Sequence, residues 1–301
     1  MAPSLGVVTL WTVLAATPAA LLLFERRRWA GGLWANMVRL ATDYTWNFLL
    51  FAVIVIEKGW VDSLNDRVRG VFGDKTWLIW KIEGPAVYHI QHALQNPAST
   101  AFLNVHYLWV YVFITYFAVM LWAYRDDREL ADLASLTYSI IYLLAVPFYI
   151  FFNVQVTSRY IPGVRSLLYN AGPGWHSFFL AHDPLDNAFP SLHIAIPFGL
   201  ICVAWWTMRR RGYTLRDWEH RGFLWFLIGN TALFAFSILY LGIHWITDIP
   251  GGILVGLLGA TIADEFHNEF ARALARVQQV LGAPFRWLFR EGGKLRLPAP
   301  K

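Results

Sequence analysis

Seven apolar runs of roughly 20 residues constrain this chain more than any other feature. They fall over 4–24, 37–56, 102–124, 133–156, 190–208, 222–242 and 245–264. Such a run is what an α-helix needs to cross the hydrocarbon of a bilayer. Backbone polar groups find no water there, so only helices or closed barrels can span it. The expected fold is therefore all-α: a polytopic transmembrane helix bundle of about six to seven spans. The composition agrees, since the chain is 57% hydrophobic and 15% charged, against roughly 25% charged in soluble domains. Its 16 Trp suit rings placed at the membrane–water interface. The single cysteine, Cys202, excludes an internal disulfide.

The first run resembles a signal peptide in length but not in pattern. A signal peptide starts with positive charge, whereas here Glu25-Arg26-Arg27-Arg28 follows the apolar segment. It reads as an uncleaved span with its N-terminus outside. On that topology Arg26, Arg27, Arg28, Arg39, Arg125, Arg128, Arg209, Arg210, Arg211, Arg216, Arg221 and the basic tail from Arg272 lie inside. That is 18 of the 25 Lys and Arg residues, the bias that the positive-inside rule describes. The chain is thus expected in the cytoplasmic membrane, multi-pass, with its C-terminus cytoplasmic. Because the basic residues border apolar spans, nucleic-acid binding is not expected.

Residues 57–100 are neither a span nor a simple loop. "VDSLNDRVRGVF" places Val61, Leu64, Val68, Val71 and Phe72 at helical spacing, and "WLIWKIEGPAVYHIQHAL" is aromatic and half polar. Both suit amphipathic helices lying in the interface, or a small cap over the outer face. Residues 265–289 repeat the pattern inside, with Phe266, Phe270, Leu274, Val277 and Leu281 on one face. Three parts are expected: 1–100 with the N-terminal spans and outer interfacial region, 101–264 as the catalytic bundle, and 265–301 as a cytoplasmic amphipathic helix and basic tail.

Ionisable residues at membrane depth are costly and mark function. His193, His244 and Asp248 stand at the outer ends of their spans. In "YLGIHWITDIPGG", residues 240–252, His244 and Asp248 are four apart and would share a helix face. The carboxylate can then hold one imidazole nitrogen, leaving the other as base or nucleophile. A structural His–Asp pair would look the same. Chelation by the pair is conceivable, but there is no His-Glu-x-x-His pattern and no nearby Cys, so a metal is not expected. Pro250 marks a kink or a first turn. Gly252 and Gly256 form a small-xxx-small seam that lets another helix come close.

The second cluster is Pro190-Ser191-Leu192-His193, with the proline suited to a helix's first turn. Free N–H groups and the helix dipole make an anion site there. Ser191 adds a hydroxyl donor, and His193 can protonate a departing alkoxide. Asp183, Asp186 and Asn187 are suited to cap this helix. His89, His92, His106, His176 and His182 lie outside as interfacial residues that could touch a head group.

These two segments, with Ser237-x6-His244-x3-Asp248, resemble the second and third signatures of the type 2 phosphatidic acid phosphatase superfamily. "FPSLH" and "YLGIHWITDIPGG" are most similar to its inositol phosphorylceramide synthase-like phosphotransferase branch. The resemblance covers roughly residues 100–264. It implies that His244 attacks phosphorus and becomes a phosphohistidine, Asp248 orients it, His193 protonates the leaving group and Ser191 binds phosphate. It also implies a lipid phosphate substrate held within the bilayer, water or a polyol or lipid alcohol as acceptor, and no metal or organic cofactor. Three departures stand out. Leu192 replaces the family's Gly, Ile238 replaces its Arg after the serine, and the Lys-to-Arg-Pro motif is not intact. The region that would carry that motif reads "FNVQVTSRYIPGVRSLLYN". Arg159 or Arg165 could supply the phosphate clamp, or serve as interfacial anchors, and Phe152 stands where the lysine would be. A rival reading is a membrane transporter using His193, His244 and Asp248 as a proton relay; it requires polar residues through the full membrane depth. The sequence leaves oligomeric state open.

Overall fold

The computed structural model describes residues 40, 42–50, 61, 64, 71–168, 185–214, 218–273 and 276. The expected span over 4–24, His176, His182, Asp183 and the tail beyond 276 lie outside the described residues, as does most of "VDSLNDRVRGVF". Within them the chain is helical: α1 (Thr76–Glu83), α2 (Ala86–Leu94), α3 (Pro97–Val105), a π-helical turn (His106–Val110), α4 (Tyr111–Tyr124), α5 (Arg128–Phe151), α6 (Thr157–Tyr160), α7 (Leu192–Arg210), α8 (Trp218–Tyr240) and α9 (Asp248–Glu265). Among the described residues there is no strand, only the single bridges Asp74–Asn153 and Val154–Asn187.

Four stretches among the described residues are long and apolar enough to cross a membrane: Pro97–Tyr124, Arg128–Phe151, Leu192–Arg210 and Arg221–Tyr240. A fifth forms if α9 and the helix His267–Ala273, bent by 64° at Phe266, count as one span. This is a membrane protein. Large apolar side chains such as Leu143, Trp225, Leu254 and Leu258 remain exposed on these helices; helices apolar on every side belong in a core or in lipid. The expected run over 37–56 is described only in part; it is helical at 42–50 apart from a bend at Tyr44. It is bound to α5, where Asn47 Nδ2 donates to Asp132 Oδ1 at 2.8 Å and to Ser135 Oγ at 2.9 Å.

Local signals set the helix starts. Asn96 caps α3 by accepting from Ser99 N, with Pro97 in the first turn. Asp127 caps α5 by accepting from Leu130 N, so α5 begins at Arg128 and not near 133. At the ends far from His193, Arg210 bridges Glu129 and Asp264, and Arg211 bridges Asp127 and Glu129. Each such pair contributes about 0–1 kcal/mol, so the network registers the ends of α5, α7 and α9 more than it stabilises them.

Close packing does more. A Cβ added at Gly252 would lie 2.6 Å from the Ser191 carbonyl oxygen, and one at Gly256 2.5 Å from that of Ala195. The glycine seam thus presses α9 onto the first turns of α7, as the sequence spacing predicts. Gly256→Val is expected to destabilise the protein by about 1–3 kcal/mol through overpacking. The measurement is the unfolding midpoint in detergent; an unchanged midpoint would show that the two helices can part without cost.

Candidate active site

Four side chains named from the sequence converge where α7 and α9 begin. His244 Nδ1 lies 2.9 Å from Asp248 Oδ2. Its Nε2 lies 3.4 Å from Ser191 Oγ, and the rings of His193 and His244 are 6.4 Å apart. Ser191 and Asp248 are fully buried and His244 nearly so, while His193 is half-buried.

The pair does not share a helix face. α8 ends at Tyr240 and α9 starts only at Asp248, so His244 sits in the intervening loop. Gly242 turns that loop with a φ of +76°, a conformation that favours glycine. The Ile238 carbonyl accepts from both Ile243 N and His244 N. Asp248, the first residue of α9, reaches back to accept from His244 and from Trp245 N at 2.8 Å. An ionised carboxylate only accepts, and the Trp245 amide only donates. His244 Nδ1 therefore carries the proton, and Nε2 presents its lone pair toward Ser191 and His193.

His193 is held as tightly. Its ring lies 3.9 Å from both Tyr107 and Tyr111, with Phe234 across its edge at 5.7 Å. Tyr107 belongs to the π-helical turn, and Tyr111 opens α4; such turns cluster at functional sites. Neither tyrosine stands out in the sequence, since aromatic residues in an apolar run signal packing first.

Helix α7 starts two residues later than the sequence suggests. Ser191 is its N-cap and makes no side-chain cap bond. Pro190 precedes the helix, its carbonyl accepting from Tyr149 OH. Asp186 and Asn187 do not cap α7; their backbones pair with Val154 instead. The N–H groups of Leu192 and His193 have no partner among the described residues. Together with the Ser191 hydroxyl they offer donors at a helix N-terminus, where anions are favoured.

The cations are less committed. Arg159 (on α6) and Arg165 are exposed, and neither side chain has a hydrogen bond or ion pair among the described residues. The backbone at Ser158 and at Arg165 abuts the turn before His244: Ser158 N donates to Gly242 O, and the Arg165 carbonyl lies 2.6 Å from where a Gly242 Cβ would be. At the positions where the motif resemblance would place cations, Ile238 is fully buried and Phe152 packs against Phe189. His106 is not interfacial. It lies inside a span, 3% exposed, with Nε2 3.0 Å from Asn230 Oδ1. His92 Nε2 meets the Gly163 carbonyl at 3.2 Å and His89 is exposed. Among the described residues no group of three or more His, Cys, Asp or Glu could hold a metal ion.

Comparison with known proteins points the same way. Residues 157–271 match the PAP2 superfamily, the one the motifs resemble. The putative undecaprenyl-diphosphatase YbjG of Escherichia coli is 27% identical over 151 residues, which cover 48% of this chain and 62% of that protein. The chain thus spans less than two thirds of the length of this curated relative. No solved structure matches the chain.

Proposed function

We propose that the chain is an integral-membrane lipid phosphatase or phosphotransferase that works through a phosphohistidine at His244. The observation that carries this reading is the buried Ser191–His244–Asp248 relay facing His193 across 6.4 Å. Reacting atoms sit about 3–3.5 Å apart before attack, and a proton donor reaches about 2.6–3.2 Å. Two imidazoles at this separation therefore bracket one phosphoryl group. In the first step His244 Nε2 attacks phosphorus, the bond to the leaving oxygen breaks, and His193 gives that oxygen its proton. In the second step water or an alcohol attacks the phosphohistidine, His193 takes the proton, and the P–N bond breaks. Ser191 and the free N–H groups of α7 hold the non-bridging oxygens, with Arg159 or Arg165 as the cation of the phosphate clamp. Covalent catalysis splits one hard displacement into two easier ones.

The catalytic bundle is residues 101–264, with 1–100 covering its outer side and 265–301 as an inner tail. The active site opens at the outer face of the cytoplasmic membrane and the C-terminus is cytoplasmic. Ser191 and His193 begin α7 and the Arg210–Arg211 network ends it, about 28 Å away at helical rise. A proton-relay transporter would need polar groups between these ends, but α7 is apolar from Ile194 to Trp206.

The substrate follows from charge. A phosphomonoester carries about −1.5 to −2 charges at neutral pH, a diester only about −1. With Ile238 and Phe152 in place of cations, the pocket suits a diester, and transfer of its head group to a polyol or lipid hydroxyl. The relative's name supports a second reading, hydrolysis of a lipid-linked diphosphate. The test is turnover of radiolabelled phosphatidic acid, a diester phospholipid with an alcohol acceptor, and a polyprenyl diphosphate. Faster or equal turnover of phosphatidic acid than of both others would overturn the preference; the faster of the other two decides between transfer and hydrolysis.

A further inference from the structure

Ile246 and Thr247 lead from the His244 loop into α9, and Thr247, its N-cap residue, makes no side-chain cap bond. The caps come from elsewhere. Ile246 N donates to Glu83 Oε2 at 2.8 Å, and Thr247 N donates to Glu83 Oε1 at 2.5 Å. With Trp245 N bound to Asp248, three successive amides are taken by two carboxylates. Glu83 ends α1, 163 residues away from Ile246 in sequence.

The rest of α1 is anchored on the same side. At its start, Lys75 N donates to the Asn153 carbonyl, and Gln155 N to Thr76 Oγ1. Asp74 also accepts from Thr76 and Gln155. The Trp245 indole donates to the Gln155 carbonyl at 2.8 Å. In the middle, Trp80 meets Tyr160 and Trp245, and these two meet each other, with ring centroids 5.9–6.4 Å apart. Helix α1 therefore joins the segment that leads into α6 and Arg159 to the loop that carries His244.

We propose that Glu83 is a positioning residue for the reaction at His244: its bidentate clamp on Ile246 and Thr247 fixes the loop so that Nε2 faces the phosphoryl group. This deepens the phosphohistidine reading and rests on it for its catalytic consequence. The physical logic is geometric. His244 is loop-borne, so its ring direction depends on the backbone that follows it. Misplacement of a reacting group by about 1 Å can cost about 100-fold in rate. An anionic cap also suits the positive end of the α9 dipole.

The test uses the full chain in detergent, with Glu83→Gln and Glu83→Ala. Glutamine keeps the shape and one acceptor oxygen, so it stays informative if alanine does not fold. The proposal expects kcat to fall about tenfold or more in Glu83→Ala and less in Glu83→Gln, with KM within about twofold, the signature of an effect on the reacting geometry. Amide hydrogen exchange at Ile246 and Thr247 should quicken in both variants while the thermal midpoint stays within a few degrees. Wild-type kcat and unchanged exchange in both would overturn it. So would a loss of activity that tracks a lowered midpoint, with exchange quickening throughout the bundle. Wild-type protein that turns over no lipid phosphate, with the local exchange effect intact, would overturn the phosphohistidine reading and leave the clamp standing.

Discussion

Purified His244→Ala protein is expected to turn over its lipid phosphate at least about a thousandfold more slowly than wild type, and to form no phosphoenzyme. The size of the loss follows from the role. Removing a covalent nucleophile closes the two-step route, and in well-studied hydrolases single losses of this kind cost about 10⁴–10⁶ in kcat. Removing a donor to a charged oxygen costs about 10²–10³. Ser191→Ala is thus the internal comparison. It withdraws the hydroxyl 3.4 Å from Nε2 but leaves the N–H groups of Leu192 and His193. Wild type and Ser191→Ala should both accumulate acid-labile label on histidine after incubation with radiolabelled lipid and rapid quench; His244→Ala should not. Equal label in His244→Ala would assign the nucleophile elsewhere.

The two histidines and the aspartate are legible in the sequence for a physical reason. Polar groups in an apolar run are rare because they are costly, so each stands out. Span positions are legible for the same reason, since run length is a one-dimensional property. The ends of spans are not. Asp127 starts α5 early and Asp248 starts α9 late, because each acts as a local hydrogen-bond acceptor at a helix start. The His244 loop therefore reads as helix in the sequence: a spacing of four fits a helix face, but a carboxylate reaching back from a helix N-terminus to a loop has the same spacing. Tyr107, Tyr111 and Glu83 are invisible there for another reason. Their meaning comes from partners far away in sequence, at His193 and at Ile246, and no local pattern encodes such a contact. Conversely, the glycines at 252 and 256 read as a seam without knowledge of the partner helix, because only close approach calls for small residues at that spacing.

Asp248→Asn carries the second large expected effect, and its size separates orientation from charge. In a His–Asp relay with no other constraint, the amide can rotate to present its NH₂ to the histidine, which then adopts the wrong tautomer; the cost in a serine protease is about 10⁴ in kcat. Here a third group intervenes. Asp248 Oδ2 accepts from His244 Nδ1 and from Trp245 N together. An NH₂ at that position would face the Trp245 N–H, donor against donor. The amide oxygen is therefore favoured there, and the Nδ1–H tautomer survives. What is lost is the negative charge that stabilises the positively charged ring after Nε2 bonds to phosphorus. The expected loss in kcat is accordingly about 10²–10³, with KM changed by no more than a few-fold. Phosphoenzyme still forms, but more slowly, in contrast to His244→Ala. Asp248→Ala, which strands both the imidazole and the Trp245 amide, should lose more than Asp248→Asn. Rapid-quench measurement of phosphoenzyme formation, with nitrogen NMR of the His244 ring to read its tautomer, checks both parts. A flipped tautomer in Asp248→Asn, or a loss of about 10⁴ or more, would mean that the Trp245 amide does not govern the carboxamide and that orientation, not charge, is the larger contribution of Asp248.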